Sequence, residues 1–189
     1  MKKVLLFIMA GFLAGCGGTS YQNVSDNTLS SSFSATDQKM LVDNLSAKLT
    51  GDTALAKELG NNKPTILIDI IKNKTSEQID TESMTDTLKM HIVKSRLFSV
   101  INRDKMNILQ KEKSLGSSGL SDSQRATKIG KLWGAKYVLY GNFSSIVNYV
   151  KSEKQVYYKF TLIVQDIETG EEIWIDEADL NKISKKPLF

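Results

Sequence analysis

The spacing of apolar residues predicts helices from residue 35 onward. A first helix is expected from Thr36, its N-cap, to Gly51, and a second is expected to end near Ser95. Their apolar positions recur every three or four residues: Met40, Leu41, Leu45 and Leu49 in the first, and Met84, Leu88, His91 and Ile92 in the second. This spacing places each set on one helix face that packs against a core.

Two further helices are predicted in the middle of the chain. Asp104 is a suitable cap for one that ends near Lys113, and Ser121 with Gln124 fits the capping box of the other, which ends at Gly134. Their apolar faces carry Met106, Ile108 and Leu109, and Ala126, Ile129 and Trp133.

Runs rich in β-branched and aromatic residues predict strands at 65–71, 97–101, 137–150, 156–167 and 172–178. The first run is typical of a strand covered on both faces, and the turn at 168–171 favours a hairpin between the last two strands. The order α-β-α-β-α-α-β-β-β predicts an α/β fold in which helices flank a mixed β-sheet. We expect a single domain over residues 35–180 and a loose C-terminal tail over 181–189.

The first fifteen residues have the layout of an export signal. Lys2 and Lys3 precede an apolar run over residues 4–15, which covers about 18 Å as a helix and is too short for the roughly 30 Å core of a bilayer. The run ends in Leu13-Ala14-Gly15-Cys16, which resembles a bacterial lipobox. The resemblance implies that residues 1–15 are removed as a lipoprotein signal peptide and that Cys16 is acylated. The alternative is a chance cysteine after a buried apolar segment.

Residues 16–34 are predicted to form a lipidated, flexible tether, because small polar residues dominate and the apolar residues show no period. Eighteen such residues have a root-mean-square span of about 23 Å and reach about 60 Å when fully extended. Gly17 stands where inner-membrane lipoproteins commonly carry aspartate, and this resemblance favours the outer membrane, with the domain facing the periplasm.

Composition narrows the range of functions. The chain has 189 residues, with 25 Lys+Arg, 21 Asp+Glu, one Cys and one His. Loss of Lys2 and Lys3 with the leader leaves 23 basic residues against 21 acidic ones, a net charge of +2, which is low for a protein that binds nucleic acid through phosphates. One Cys and one His exclude disulfide frameworks and multi-Cys or multi-His metal sites. We therefore expect no nucleic acid, no metal and no cofactor.

Few residues are candidates for catalysis. His91 shares a helix face with Leu88 and Ile92, so it either acts with an orienting carboxylate or lies at the margin of the core. Asp176 and Glu177 are either part of a carboxylate pair, as glycoside hydrolysis requires, or solvated surface. The loop at 116–119 resembles a phosphate-binding loop only in composition. We expect no catalytic residue.

Three tyrosines flank a predicted hairpin loop at 150–155: Tyr149, Tyr157 and Tyr158. Since side chains alternate across a strand, Tyr158 shares a face with Val156, and Tyr157 points to the opposite face. An exposed tyrosine here favours a protein-binding surface, and the alternative is packing against the second face of the sheet. The sequence does not assign the partner-binding residues.

Six short stretches carry a family resemblance: Ile66-Leu67-Ile68-Asp69, Asn73-Lys74-Thr75, Thr85-Asp86-Thr87-Leu88, Phe98-Ser99-Val100, Gly134-Ala135-Lys136-Tyr137-Val138-Leu139-Tyr140 and Thr169-Gly170-Glu171-Glu172-Ile173-Trp174. In this order and spacing, together with the lipobox, they resemble the LpoB family of penicillin-binding-protein activators. The resemblance covers about residues 64–177 and implies a fold like the N-terminal domain of TolB.

The resemblance also implies a function. It predicts an outer-membrane lipoprotein that binds a bifunctional, class A penicillin-binding protein and raises its peptidoglycan-synthesising activity by contact, not by catalysis. Such a protein shifts the conformational population of its target through differential affinity. The chain departs from the best-known members in its tether, since those carry a long, proline-rich segment and this one has about eighteen residues without proline.

Two alternatives remain open at this point. Arg103-Asp104 and the stretch at 130–135 equally resemble the wider group that includes the curli secretion lipoprotein CsgG. This favours an assembly or secretion lipoprotein without synthase contact, although a CsgG-type pore needs two amphipathic hairpins and only 149–158 is a candidate. The third hypothesis is a carboxylate-dependent cell-wall enzyme.

Overall fold

The structure, a computed structural model, describes residues 32–101, 119–151 and 153–185. The helices within these ranges are α1 (Ala35–Gly51), α2 (Thr53–Leu59), α3 (Thr81–Ser95) and α4 (Asp122–Trp133). The strands are β1 (Thr65–Ile68), β2 (Lys72–Asn73), β3 (Ser99–Val100), β4 (Tyr137–Val150), β5 (Glu153–Asp166) and β6 (Glu172–Lys185). The predicted signal peptide, Cys16, most of the predicted tether and the helix expected from Asp104 lie outside the described residues.

These strands form one mixed sheet in the order β3-β1-β4-β5-β6, with β2 also paired to β4. β1 is parallel to β3 and β4, whereas β4, β5 and β6 form an antiparallel meander of three fourteen-residue strands. Helices cover both faces of the sheet, so the predicted α/β class with a mixed sheet is confirmed. The hairpin expected at 168–171 is also present, between β5 and β6.

Alternation of side chains along β4 and β5 divides the core into two clusters. On one face, Phe143, Tyr158 and Phe160 pack beneath α1 and α3, and all three side chains are fully buried. On the other face, Val138 and Tyr140 pack with Ala126 of α4 in a smaller cluster. The apolar helix stripes predicted for α1 and α3 therefore do face the sheet, although Met40 of α1 is 51% exposed.

The strand predicted over 65–71 is interrupted in the structure. Ile68 pairs with Leu139 and Lys72 pairs with Asn142, so three residues of the first strand lie opposite two residues of β4. The extra residue reverses the alternation, and Ile70 points to solvent with 52% exposure. The prediction of one continuous strand was wrong because such a bulge depends on the pairing partner.

Helix boundaries also differ in part from the sequence-based prediction. Ser34, not Thr36, caps α1, and its side chain and that of Asp37 form a reciprocal capping box. The short helix α2, capped by Asp52, was not predicted. The capping box of Ser121 and Gln124 and the terminal Gly134 of α4, which adopts φ 69°, are confirmed.

The last strand is longer than expected. β6 pairs with β5 through Lys185, beyond the predicted end at residue 178, so residues 181–185 are strand and not tail. Only alternate residues of this segment are shielded, and Asp179, Asn181 and Ile183 are exposed. The hydrophobic pattern that would predict a strand is therefore weak in this segment, and backbone pairing with β5 determines where the strand ends.

Gly141 of β4 lies against the backbone of β5, and it provides a test of this packing. A Cβ atom at this position would lie 2.2 Å from the carbonyl oxygen of Thr161, which is backbone and has no room to move. We expect Gly141→Ala to lower the free energy of unfolding by about 2–4 kcal/mol in urea denaturation. Gly51→Ala is the matched control, because nothing lies within 4 Å of its added Cβ, and it should change stability by less than about 1 kcal/mol. Equal effects of the two substitutions would contradict this packing.

Candidate functional site

The chain joins the domain through a set of contacts that we call the N-terminal clamp, formed by Phe33, Asp37, Glu77, Tyr158 and Lys182. The ring of Phe33 lies 5.3 Å from that of Tyr158, and its backbone N–H donates to Glu77 Oε2 over 3.0 Å. The hydroxyl of Tyr158 donates to the other oxygen of Glu77. The carboxylate of Glu77 thus holds both the backbone of Phe33 and the side chain of Tyr158, against which Phe33 packs.

An ion pair completes the clamp on β6. Lys182 Nζ lies 2.5 Å from Asp37 Oδ2 and also donates to the carbonyl oxygen of Ser32 over 2.8 Å. The two charged side chains are only 12% and 9% exposed, so neither can lose its partner without leaving a buried charge. Phe33 and Ser34, which the sequence analysis placed in the tether, therefore belong to the folded domain.

A second polar network holds α4 on the sheet. Arg125 Nη2 lies 2.8 Å from Asp69 Oδ2, whose side chain is fully buried at the end of β1. Burial raises the pKa of Asp122, but its bonds to Lys72 and Lys74 outweigh this and leave that pKa below its usual value. These pairs join α4 to β2 and to the residue that follows β1, so they orient α4 on the sheet.

The structure places each of the candidates for catalysis in contact with an oppositely charged or hydrogen-bonding partner. His91 Nε2 lies 3.0 Å from Asp43 Oδ1 and joins α3 to α1. Hydrogen bonds from Lys39 and His91 keep the pKa of Asp43 below its usual value. Burial raises the pKa of Asp176, yet the hydrogen bonds from Lys48 and from the backbone N–H of Glu177 lower it overall.

Glu177 pairs with Lys159 over 3.0 Å, and Asp176 pairs with Lys48 over 2.8 Å. The two acids thus each have a basic partner on another strand or helix. In the described ranges, no group of three or more His, Cys, Asp or Glu side chains could hold a metal ion. Of the loop at 116–119, only Gly119 is described.

The described helices leave part of one face of the meander exposed, and we call it the open face. It lies on the α4 side of the sheet and carries Ile146, Tyr157, Ile183 and the Lys159–Glu177 pair beyond the α4 cluster, and Ile175 on the edge strand β6, opposite Ile163 of that cluster. The three isoleucines are 60%, 57% and 55% exposed. An apolar surface with charged groups beside it is typical of a protein contact.

Tyr157 and Tyr158 lie on opposite faces of the sheet, as the alternation of side chains predicts. Tyr158 is buried on the same face as Val156, and Tyr157 is partly exposed on the open face. Tyr149 is 71% exposed at the end of β4. The sequence showed which tyrosines share a face, but it did not show which face the helices cover.

Comparison with known proteins identifies the family of this chain. Residues 37–180 match the family described as peptidoglycan-synthase activator LpoB. The chain belongs to the LpoB family. Relatives named penicillin-binding protein activator LpoB are 27% identical in Cronobacter turicensis and 26% identical in Salmonella typhimurium, each over 110 residues and 58% of this chain. Because the match covers 46% and 48% of those proteins, the chain spans about half the length of the curated relatives it matches.

Solved structures agree on the fold. The LpoB C-terminal domain from Escherichia coli superposes with a TM-score of 0.55 at 20% identity, covering 76% of this chain and 98% of that domain. The corresponding domain from Salmonella enterica gives a TM-score of 0.54 at 19% identity, with the same coverage. The family match supports the activator hypothesis and not the secretion alternative.

Of the described helices, none has the length and apolarity needed to cross a membrane.

The clamp of this LpoB-family domain predicts a dependence of stability on alkaline pH. Burial and the hydrogen bond to Glu77 raise the pKa of Tyr158 above its usual value of about 10. Because the folded state favours the neutral phenol, its contribution to stability is complete below about pH 10 and declines as the pH rises above that value. We expect Tyr158→Phe to cost about 1–2 kcal/mol near pH 8, with a smaller difference from the parent above pH 10.

Urea denaturation at several pH values measures both effects. Tyr149→Phe is the control, because that side chain is exposed and should contribute little at any pH. A constant difference between the parent and Tyr158→Phe across this pH range would contradict the role of the buried phenol.

Proposed function

We propose that this LpoB-family protein is a lipid-anchored activator of a class A penicillin-binding protein, held on the periplasmic side of the outer membrane. The family description and the names of the relatives support the kind of partner. We further propose that the protein acts by contact, since Asp176 and Glu177 are engaged in ion pairs and His91 in a contact with Asp43, and these hold the helices and strands together.

The observation that carries the proposal is the open face. Exposed isoleucines on strands fixed by continuous pairing form a rigid apolar surface, which loses little conformational entropy on binding. The Lys159–Glu177 pair beside them supplies charges that select a complementary partner. If this face binds the active conformation of the synthase more tightly than the inactive one, each factor of ten in affinity corresponds to about 1.4 kcal/mol of activation.

Substitution in the open face should remove activation without unfolding the domain. Ile183→Glu places a charge where an apolar contact is proposed, and we expect it to reduce stimulation of glycan polymerisation by a purified class A penicillin-binding protein at least tenfold. Val93→Glu is the matched control, because Val93 is 53% exposed on α3, in the layer on the opposite side of the sheet. It should stimulate the synthase as the parent does.

Two outcomes would contradict this assignment. If both variants stimulate as the parent does, the open face is not the contact surface. If the parent chain neither binds nor stimulates the synthase, the proposed function itself is wrong.

The lipid anchor is the second part of the proposal. Fifteen residues lie between Cys16 and Ser32, which binds Lys182 of the clamp, and the chain from one to the other reaches at most about 55 Å, so the synthase must project toward the outer membrane to be contacted. We expect the protein from bacterial membranes to start at Cys16 and to carry the mass of acyl chains on that residue in intact-mass spectrometry. The Cys16→Ser chain should keep its leader and lack that mass. An unmodified thiol at Cys16 would contradict membrane anchoring.

A further inference from the structure

The end of the meander furthest from α4, which we call the distal tip, is exposed on both sheet faces. It consists of the last residues of β4 and the first of β5: Val147, Tyr149, Val150, Lys151 and Lys154. Tyr149 is 71% exposed, Val150 is 51% exposed and Val147 is 36% exposed. Neither helix layer covers these side chains, because α1 and α3 pack over the earlier part of the strands.

The charge at this tip is mainly positive. Lys151 lies in the turn, and Lys154 pairs in register with Tyr149. β6 ends at the same place, since Lys185 is in register with Glu153, the acidic residue that begins β5. An exposed tyrosine and valines bordered by lysines suit the boundary between lipid headgroups and acyl chains, where aromatic rings insert and ammonium groups meet phosphates.

The position of the N-terminal clamp indicates that the distal tip is the end of the domain nearest to the anchor. Ser32 is bonded to Lys182, which is three residues, or about 10 Å, from the end of β6. The chain from Cys16 therefore joins the domain close to the distal tip and not at the α4 end. Fifteen residues separate Cys16 from Ser32, so an anchor at Cys16 holds Ser32 within about 55 Å of the membrane surface and the tip within about 65 Å.

We propose that the distal tip binds the anionic phospholipid surface of the membrane next to which the chain is anchored. Tyr149 and Val150 enter the headgroup region, and Lys151 and Lys154 contact lipid phosphates. The open face then stands to the side of the membrane contact and stays accessible to a partner. This inference does not depend on synthase activation, and it is tested without the lipid anchor.

The test uses the chain from residue 16 onward with Cys16→Ser, which keeps every described residue. We expect it to sediment with vesicles of phosphatidylcholine and phosphatidylglycerol, but not with vesicles of phosphatidylcholine alone, and to dissociate as salt is added. Each lysine at an anionic surface contributes about fivefold in affinity, so Lys151→Gln with Lys154→Gln should weaken binding about 25-fold. The matched control, Lys57→Gln with Lys94→Gln, removes two exposed charges from α2 and α3 and should bind as the parent does.

A second measurement reports insertion directly. Tyr149→Trp places an indole at the tip, and its added emission should shift to the blue and be quenched by brominated lipid, relative to the parent chain. Circular dichroism of each variant verifies that the domain is folded.

The proposal is overturned by any of three results. These are equal binding to both kinds of vesicle, equal losses in the tip variant and its control, and emission from Tyr149→Trp that brominated lipid leaves unchanged. A tip variant that binds vesicles normally but fails to stimulate the synthase would assign the tip to protein contact instead.

Discussion

The structure is shaped by a mismatch in length between its strands and its helices. The three strands of the meander have fourteen residues each, or about 47 Å, whereas α1 spans about 26 Å and α4 about 18 Å. Helices of this length cannot cover the whole sheet. Both surfaces that we assign to binding, the open face and the distal tip, consist of strand residues that the described helices leave exposed.

The N-terminal clamp extends the covered area. Phe33 packs against Phe143 and Tyr158 on the face beneath α1, and Lys182 brings the preceding residue against β6. The clamp thus shields apolar rings that α1 does not reach, and it also fixes where the rest of the chain leaves the domain. The Asp37–Lys182 pair holds Lys182 in place beneath Ser32, and it resists separation because both groups are nearly buried.

Sequence patterns predicted local features well and long-range ones poorly. The bounds of β4 and the capping box of Ser121 were predicted correctly because they depend on residues close in sequence. Phe33 was assigned to the tether because its aromatic partners lie far along the chain, although Ser34 with Asp37 was a local capping signal. Ile70 was expected in a strand because the bulge depends on the register of β4. The open face was not predicted, since the sequence does not show how far each helix extends over the sheet.

The arrangement of the two surfaces has a consequence for recognition. A domain whose orientation is not fixed presents its binding face to a partner in only a small fraction of encounters. Contact of the distal tip with the membrane would restrict this sampling to rotation about the membrane normal, while the open face stays exposed along the side. The same strands carry both surfaces, and between these surfaces β5 and β6 are paired without a break from Glu153–Lys185 to Val164–Trp174. An orientation set by the distal tip is therefore transmitted to the open face without a flexible joint. Lipid contact would then meet the energetic cost of orienting the domain before the partner binds.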